Sequence, residues 1–279
     1  MDKFIIILKY VLIALVQGIA EILPISSSGH MVIVQNILGL STGNLSFEIF
    51  LHFASLIAII AFFYKEIWLM IKSFFLFIFS KDKRSDKVTK FNFMLCLYLV
   101  VATIPAGIVV VLLNDFIGKT LSKVLTVGIC LIITSIMLFV ATKINKNKDL
   151  EHMNFLDAFI IGLFQCLGIL PGISRSGSCM VGTSVRKINQ SDGAFFAFIM
   201  AIPMMLGSSI FSLGDIKVAL ENTDLIIPYI IAFLVTLVVT YLSLRLFLKV
   251  VRKIKLSYFS IYCLIVGIIS IIFGAIYSI

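Results

Sequence analysis

Arg175 is a planar fork of hydrogen-bond donors set in the run Gly172, Ser174, Arg175, Ser176, Gly177, within an otherwise apolar stretch. A guanidinium in such company is suited to gripping a phosphate through two parallel hydrogen bonds. Proline and glycine on its flanks argue against the blander reading, an arginine at a helix end that snorkels to water. Glu21 is its acidic counterpart, and Gln17, four residues earlier, shares its helix face. A carboxylate there could bind a divalent cation, act as a base, or serve as a structural partner for Arg175. Ser26, Ser27 and Ser28 follow, then His30, one of three histidines in the chain. That histidine is placed to act as general acid or base on a nearby hydroxyl. Glu48 and His52, four apart, read equally as residues lining an access path or as a satisfied polar pair. The chain has no GxxxxGK[ST] phosphate loop, HExxH, EF-hand loop or GxSxG elbow.

The elements that position these groups belong in a bilayer. Of 279 residues, 61% are hydrophobic and 13% charged, too little polar surface for a soluble domain, so soluble enzymes and nucleic-acid binders are excluded. The five cysteines form no CxxC pair and read as buried thiols. Six segments are long enough to cross: 46–64, 91–113, 122–142, 193–212, 225–247 and 257–278. Residues 4–40 and 155–190 are also apolar, but ILPISSSGH (22–30) and LPGISRSGS (170–178) interrupt them with proline, glycine and hydroxyl residues. Irregular backbone at membrane depth needs protein or a watery cavity around it, so both regions are expected to form re-entrant helical hairpins. The expected fold is therefore an all-α integral membrane protein of six transmembrane helices plus two re-entrant hairpins, one polytopic domain over 1–279. No small-x-small cleavage site makes residues 4–20 a signal peptide. Residues 65–80 are too short to span and read as an interfacial helix, with Trp68 and Lys72 at headgroup level.

Charge gives the sidedness. Segments 65–90, 143–153, 186–192 and 245–256 hold seventeen of the 23 Lys and Arg residues. Placed in the cytoplasm by the positive-inside rule, they leave loops 41–45, 114–121 and 213–224, with Asp115, Asp215, Glu221 and Asp224, outside. Both termini are then extracytoplasmic. The +9 formal charge orients the protein and implies no nucleic acid.

QGIAEILPISSSGH (17–30) aligns without gaps on QCLGILPGISRSGS (165–178), with identities at Gln17/Gln165, Ile25/Ile173, Ser26/Ser174, Ser28/Ser176 and Gly29/Gly177. Three crossings separate the copies, so the second must enter from the opposite face. That predicts an inverted-topology repeat of halves 1–142 and 149–279, with the site between the broken helices near mid-membrane. Helices resuming at about 30–40 and 178–188 put serines at two N-termini, where free N–H groups and the dipole favour an anion. Secondary transport of an anion, or flipping of a lipid phosphate, fits such architecture as well as phosphatase chemistry does.

At these residues the chain resembles the undecaprenyl-diphosphatase (bacitracin-resistance) family of bacterial membrane phosphatases. The match runs through FEIFLHFASLIA (47–58) to FAFIMAIPMMLG (196–207). The family's (E/Q)xxxE motif falls on Gln17 and Glu21, its serine run and histidine on Ser26–Ser28 and His30, and PGxSRSGxT on Pro171 to Cys179. Glutamine at 17 leaves one carboxylate of two, and Cys179 stands where the family has threonine, with Ser178 beside it as a substitute donor. The resemblance implies hydrolysis of undecaprenyl diphosphate to undecaprenyl phosphate and inorganic phosphate in the bacterial cytoplasmic membrane, with a site opening outside. It also implies a divalent cation, Mg²⁺, at Glu21. Phosphate would be held by Arg175, Ser174, Ser176 and the helix ends, with Gln17, Ser26, Ser28, Gly172, Gly177 and Glu48 around the substrate. Ser27 or a water would attack, assisted by His30 and Glu21. Membrane lipid is the other partner, and the oligomeric state, homodimer included, stays open.

Overall fold

The computed structural model describes residues 3–40, 45–120, 123–211 and 223–277. The expected outside loops 41–45 and 213–224 lie largely beyond those residues; residues 114–120, expected as a loop, continue α5 instead, and the side chains of Asp115, Asp215, Glu221 and Asp224 are not among those described. Eleven α-helices account for the described chain: α1 (Lys3–Ala20), α2 (Ser27–Ile37), α3 (Leu45–Phe62), α4 (Tyr64–Phe79), α5 (Lys87–Thr120), α6 (Val124–Thr142), α7 (Phe155–Leu167), α8 (Arg175–Val185), α9 (Gln190–Phe211), α10 (Thr223–Val250) and α11 (Leu256–Tyr277). An isolated bridge between Lys148 and Ile188 is the only β pairing among the described residues.

Among the described residues, six helices are long and apolar enough to cross a membrane: Lys3–Ala20, Lys87–Leu112, Val124–Thr142, Gln190–Ile210, Leu225–Val250 and Leu256–Ile276. Five coincide with expected crossings; the sixth does not. The crossing expected at 46–64 stops at Phe62, where the chain bends by 75° into α4. In its place α1 qualifies, because its 18 residues precede the polar break and rise about 27 Å at 1.5 Å each. α5 starts earlier than expected because Asp86 caps it, its carboxylate accepting from Thr89 N (2.9 Å) and Thr89 Oγ1 (2.7 Å).

Large apolar side chains such as Val111, Leu112, Leu246 and Ile276 stand exposed, as expected of surfaces that meet lipid. Inside, α6 packs along α11 more extensively than any other pair. An added Cβ at Gly128 would lie 2.8 Å from Gly267 O, and the reciprocal contact is 2.9 Å, so the backbones touch. Buried hydroxyls bridge helices: Ser55 to Thr240 (3.0 Å), and Ser135 to the Ser260 carbonyl (2.7 Å). α1 packs on α10, and α7 on α5.

The helix pairs α1–α2 and α7–α8 each fold back on themselves. Lys9, near the start of α1, donates to Leu38 O at the end of α2. Lys187, after α8, accepts from Lys148 N, ahead of α7, at 2.9 Å. The tips of the two pairs meet: an added Cβ at Gly29 would lie 2.9 Å from Gly172 Cα, and Ser176 Oγ donates to Leu23 O at 3.2 Å.

Candidate active site

α2 and α8 begin three residues earlier than the sequence suggested, because the serine capping signals sit inside the breaks. Each is 11 residues long, and each is offset from the other by 148. Ser26 Oγ accepts from Gly29 N (3.2 Å) and Ser174 Oγ from Gly177 N (3.0 Å), the same N-cap in both copies. The first N–H groups of each helix have no intrahelical partner, so two positive helix ends converge. Ser26 adopts φ 72°, a left-handed conformation costly for a non-glycine residue. Gly172 has φ 95° and abuts α6, where an added Cβ would lie 2.6 Å from Val127 O. Thr134 of α6 ties this loop down, donating to Gly172 O (3.0 Å) and accepting from Ser174 N (3.2 Å).

A cavity of about 260 Å³ lies between these tips. Its wall includes Glu21, Ser26, Ser27, Ser28, Glu48, Ser174, Arg175 and Ser176 from the expected set. Glu21 is the hub. It is buried and forms an ion pair with Arg175 across the two helix pairs. Its other oxygen accepts from Ser27 Oγ (2.7 Å) and Gln17 Nε2 (3.0 Å), and lies 3.2 Å from His52 Nδ1. A serine hydroxyl donating to a carboxylate, beside a guanidinium and two helix N-termini, can lose its proton as it attacks an electrophile held by the cations.

The remaining expected residues sit otherwise. Gln17 is buried behind Glu21 and is not part of the wall. Gly172 and Gly177 shape the backbone, the Gly177 N–H being used by the Ser174 cap. Glu48 is held by Gln35 Nε2 at 3.2 Å. His30 does not line the cavity: its Nδ1 lies 2.8 Å from Ser26 O, and its Nε2 2.9 Å from Tyr262 OH, with the rings stacked. The carbonyl can only accept, so Nδ1 carries the proton and Nε2 accepts from the tyrosine. Ser178 is buried away from the cavity, with no partner for its hydroxyl among the described residues, so it does not stand in for Cys179.

Two groups were missed in the sequence as ligands. His52, and not His30, is the histidine of the cavity wall. Gln165 also lines it, fully buried, with Nε2 unpaired among the described residues, while its Oε1 accepts from Cys179 Sγ at 3.7 Å. Its identity with Gln17 in the repeat was the available signal. Cys179 thus turns a neighbouring amide, a task a thiol can perform, and makes no contact with the cavity. All five cysteines are free.

Among the described residues no three His, Cys, Asp or Glu side chains converge on a point that could hold a metal. The cavity offers two carboxylates, Glu21 and Glu48. That donor set fits an ion such as Mg²⁺, which is commonly bound by one or two carboxylates together with substrate phosphates and water.

A family model described as bacitracin resistance protein BacA matches residues 10–269. The chain belongs to this family. Curated relatives extend the match over the full length. Undecaprenyl-diphosphatase 2 of Bacillus thuringiensis is 39% identical over 275 residues, covering 98% of this chain and 100% of its own. Undecaprenyl-diphosphatase of Oceanobacillus iheyensis is 38% identical over 274 residues, covering 98% of each chain. Undecaprenyl-diphosphatase 1 of Shouchella clausii is 35% identical over 271 residues, covering 96% of each. The BacA match spans both helix tips, so every residue of the cavity wall lies inside it.

Proposed function

We infer that this chain is a multi-pass membrane phosphatase that hydrolyses undecaprenyl diphosphate to undecaprenyl phosphate and inorganic phosphate. The full-length relatives carry that activity in their names. The observation that carries the chemistry is the Ser27 hydroxyl donating to Glu21 beside Arg175. In the reading we favour, the diphosphate enters between the two helix N-termini and takes Arg175 from Glu21. Ser174 and Gln165 Nε2 add donors, and Ser176 adds a third by turning its hydroxyl from Leu23 O. Ser27 Oγ attacks the terminal phosphorus, and its proton passes to Glu21. The bond from that phosphorus to the bridging oxygen breaks, undecaprenyl phosphate leaves, and water then hydrolyses the phosphoserine. Charge spread over the transferred phosphoryl group is where such catalysis is gained, and Arg175 with the helix ends supplies it. Direct attack by water in place of Ser27 is the alternative. His30 acts in this scheme by holding the Ser26 carbonyl. A divalent cation, Mg²⁺, would be held by Glu21 and Glu48 and would neutralise diphosphate charge when bound.

The two broken helix pairs are proposed as re-entrant hairpins of an inverted repeat, supported by the identical caps and equal length of α2 and α8 and by the constant offset. α4 is proposed as an interfacial helix. The site is proposed to open to the extracytoplasmic side.

Purified protein in detergent should release phosphate from undecaprenyl diphosphate, since hydrolysis, unlike transport, needs no second compartment. Ser27→Ala should lower kcat by at least ~1,000-fold with the protein still folded. Wild-type turnover in that variant, or no phosphoserine trapped on acid quench, would favour direct water attack. No release by the wild type would favour a carrier for the same anion.

A further inference from the structure

Besides Glu21, Ser27 and Arg175, the cavity is lined by Val110 of α5, by Ile169, and by Met204, Met205 and Ser208 of α9, a set that is apolar but for that one serine. Gln165, buried with its Nε2 unpaired among the described residues, stands in the same cavity and marks it as built for a ligand. α5 and α9 touch over only a short length. At 100° per residue, Gly107 lies about 60° round α5 from Val110, and Gly207 about 60° round α9 from Met204. An added side chain at either glycine would meet nothing within 4 Å. Beyond them the surface is apolar and exposed: Ile104 and Val111 on α5, Leu206 and Ile210 on α9.

The seam between α3 and α10, which also borders the cavity through Ile49 and His52 of α3, is closed by contrast. Aromatic rings fill it: Phe47 on Tyr229 (4.7 Å between centroids), Phe50 on Phe233 (4.8 Å) and Phe62 on Tyr241 (5.5 Å). The α3–α10 seam is therefore plugged, whereas the α5–α9 seam has few contacts and carries a glycine with open space beside it on each helix.

We propose that the α5–α9 seam is the lateral exit for the hydrocarbon chain of a polyprenyl diphosphate, with Val110, Met204 and Met205 receiving its first isoprene units. The inference rests on the phosphatase reading above. A long polyprenyl tail cannot fit in about 260 Å³ and must leave sideways into lipid. Val110, Met204 and Met205 belong to the cavity lining, the exposed residues beyond them on α5 and α9 are mostly apolar with Ser208 the exception, and no side chain at Gly107 or Gly207 stands in the way. A short prenyl chain would not reach these glycines.

The experiment compares wild type, Gly107→Trp, Gly207→Trp and the milder Gly207→Leu on undecaprenyl diphosphate and on isopentenyl diphosphate, a short water-soluble analogue. The expected result is a fall of ~10-fold or more in kcat/KM for the long substrate, smaller for leucine than for tryptophan, with the short substrate within ~2-fold of wild type. Retained activity on the short substrate also shows that each variant is folded. Equal losses on both substrates in the leucine variant, or no loss on the long one in either tryptophan variant, overturn the exit. Failure of the wild type on both substrates overturns the phosphatase reading instead, and the exit with it.

Discussion

Arg175 and Glu21 are 154 positions apart and form one ion pair, whose worth is in being exchangeable. A buried pair gives little net stability over apolar packing, but a diphosphate can replace the carboxylate on the guanidinium and leave Glu21 free to accept a proton. The geometry asks for a fork, because Arg175 reaches Glu21 with one terminal nitrogen and the Ala201 carbonyl with the other (3.5 Å). Arg175→Lys keeps the charge but offers a point donor. It is expected to lower kcat/KM for undecaprenyl diphosphate by ~100-fold or more while thermal unfolding in detergent changes little; activity near wild type would show that charge alone suffices. The two N-cap serines should separate in stability. Ser174 has an ordinary φ of −71°, so Ser174→Ala should cost about 1 kcal/mol for the lost cap. Ser26 holds φ 72°, so Ser26→Gly, which relieves that strain and forfeits only a few tenths of the cap, should leave the melting temperature unchanged or higher. That Glu21, Ser27 and Arg175 belong to one site was legible in the sequence because each is a polar residue that an apolar stretch does not explain. The place of His30 off the cavity wall was not legible, because its partner, Tyr262, is 232 positions away and no local spacing shows that both ring nitrogens are engaged.

The elements were legible where composition alone decides them, as in α6 and α11, whose bounds nearly match the expected crossings. They were less so where a terminus depends on one cap or one bend. α3 ends at Phe62 through a 75° turn that carries no proline or glycine, since Phe63–Tyr64 continues the apolar run. The most demanding joint is the loop 168–174, where α7 hands over to α8. Gly172 there answers two constraints together, a positive φ and contact with the α6 backbone. Gly172→Ala is therefore expected to destabilise by roughly 2–4 kcal/mol, combining the left-handed penalty with a clash that α6 cannot relieve by rotamer change. It should also displace Ser174 and Arg175, since Thr134 holds the loop through the Gly172 carbonyl and the Ser174 N–H. The checks are the melting temperature in detergent and phosphate release on the same preparation. Full activity with a lowered melting temperature would mean that the loop's position is set elsewhere.

At the scale of the molecule, the basic segments gather at one end. Lys148 N donates to Lys187 O at 2.9 Å, and Gln190 Nε2 reaches Val251 O (2.8 Å) and Ile254 O (2.9 Å), joining segments 143–153, 186–192 and 245–256. Tyr98, in the fourth turn of α5, donates to Met153 O at 2.8 Å, which ties the helix that follows segment 65–90 to the same group. Asp157 anchors the group, buried and paired with both Lys148 and Arg186. The opposite end gathers Tyr10, Phe47 and Tyr229, near the starts of α1, α3 and α10. α11 runs antiparallel to α6, from Ser260 against Ser135 to Gly274 against Leu125, and so finishes at that opposite end with the start of α1. The sequence rule assigned the basic loops to the cytoplasm one by one; their convergence lets a single orientation satisfy all of them, and in the orientation proposed both ends of the chain would lie outside. A cysteine at exposed Asp82 (Asp82→Cys) should resist a membrane-impermeant thiol reagent in intact cells and react in inside-out vesicles. Alkaline phosphatase fused after the last residue should be active, because it folds only outside the cytoplasm. Labelling of Asp82→Cys in intact cells, together with an inactive fusion, would invert the molecule and place the mouth of the diphosphate cavity on the cytoplasmic side.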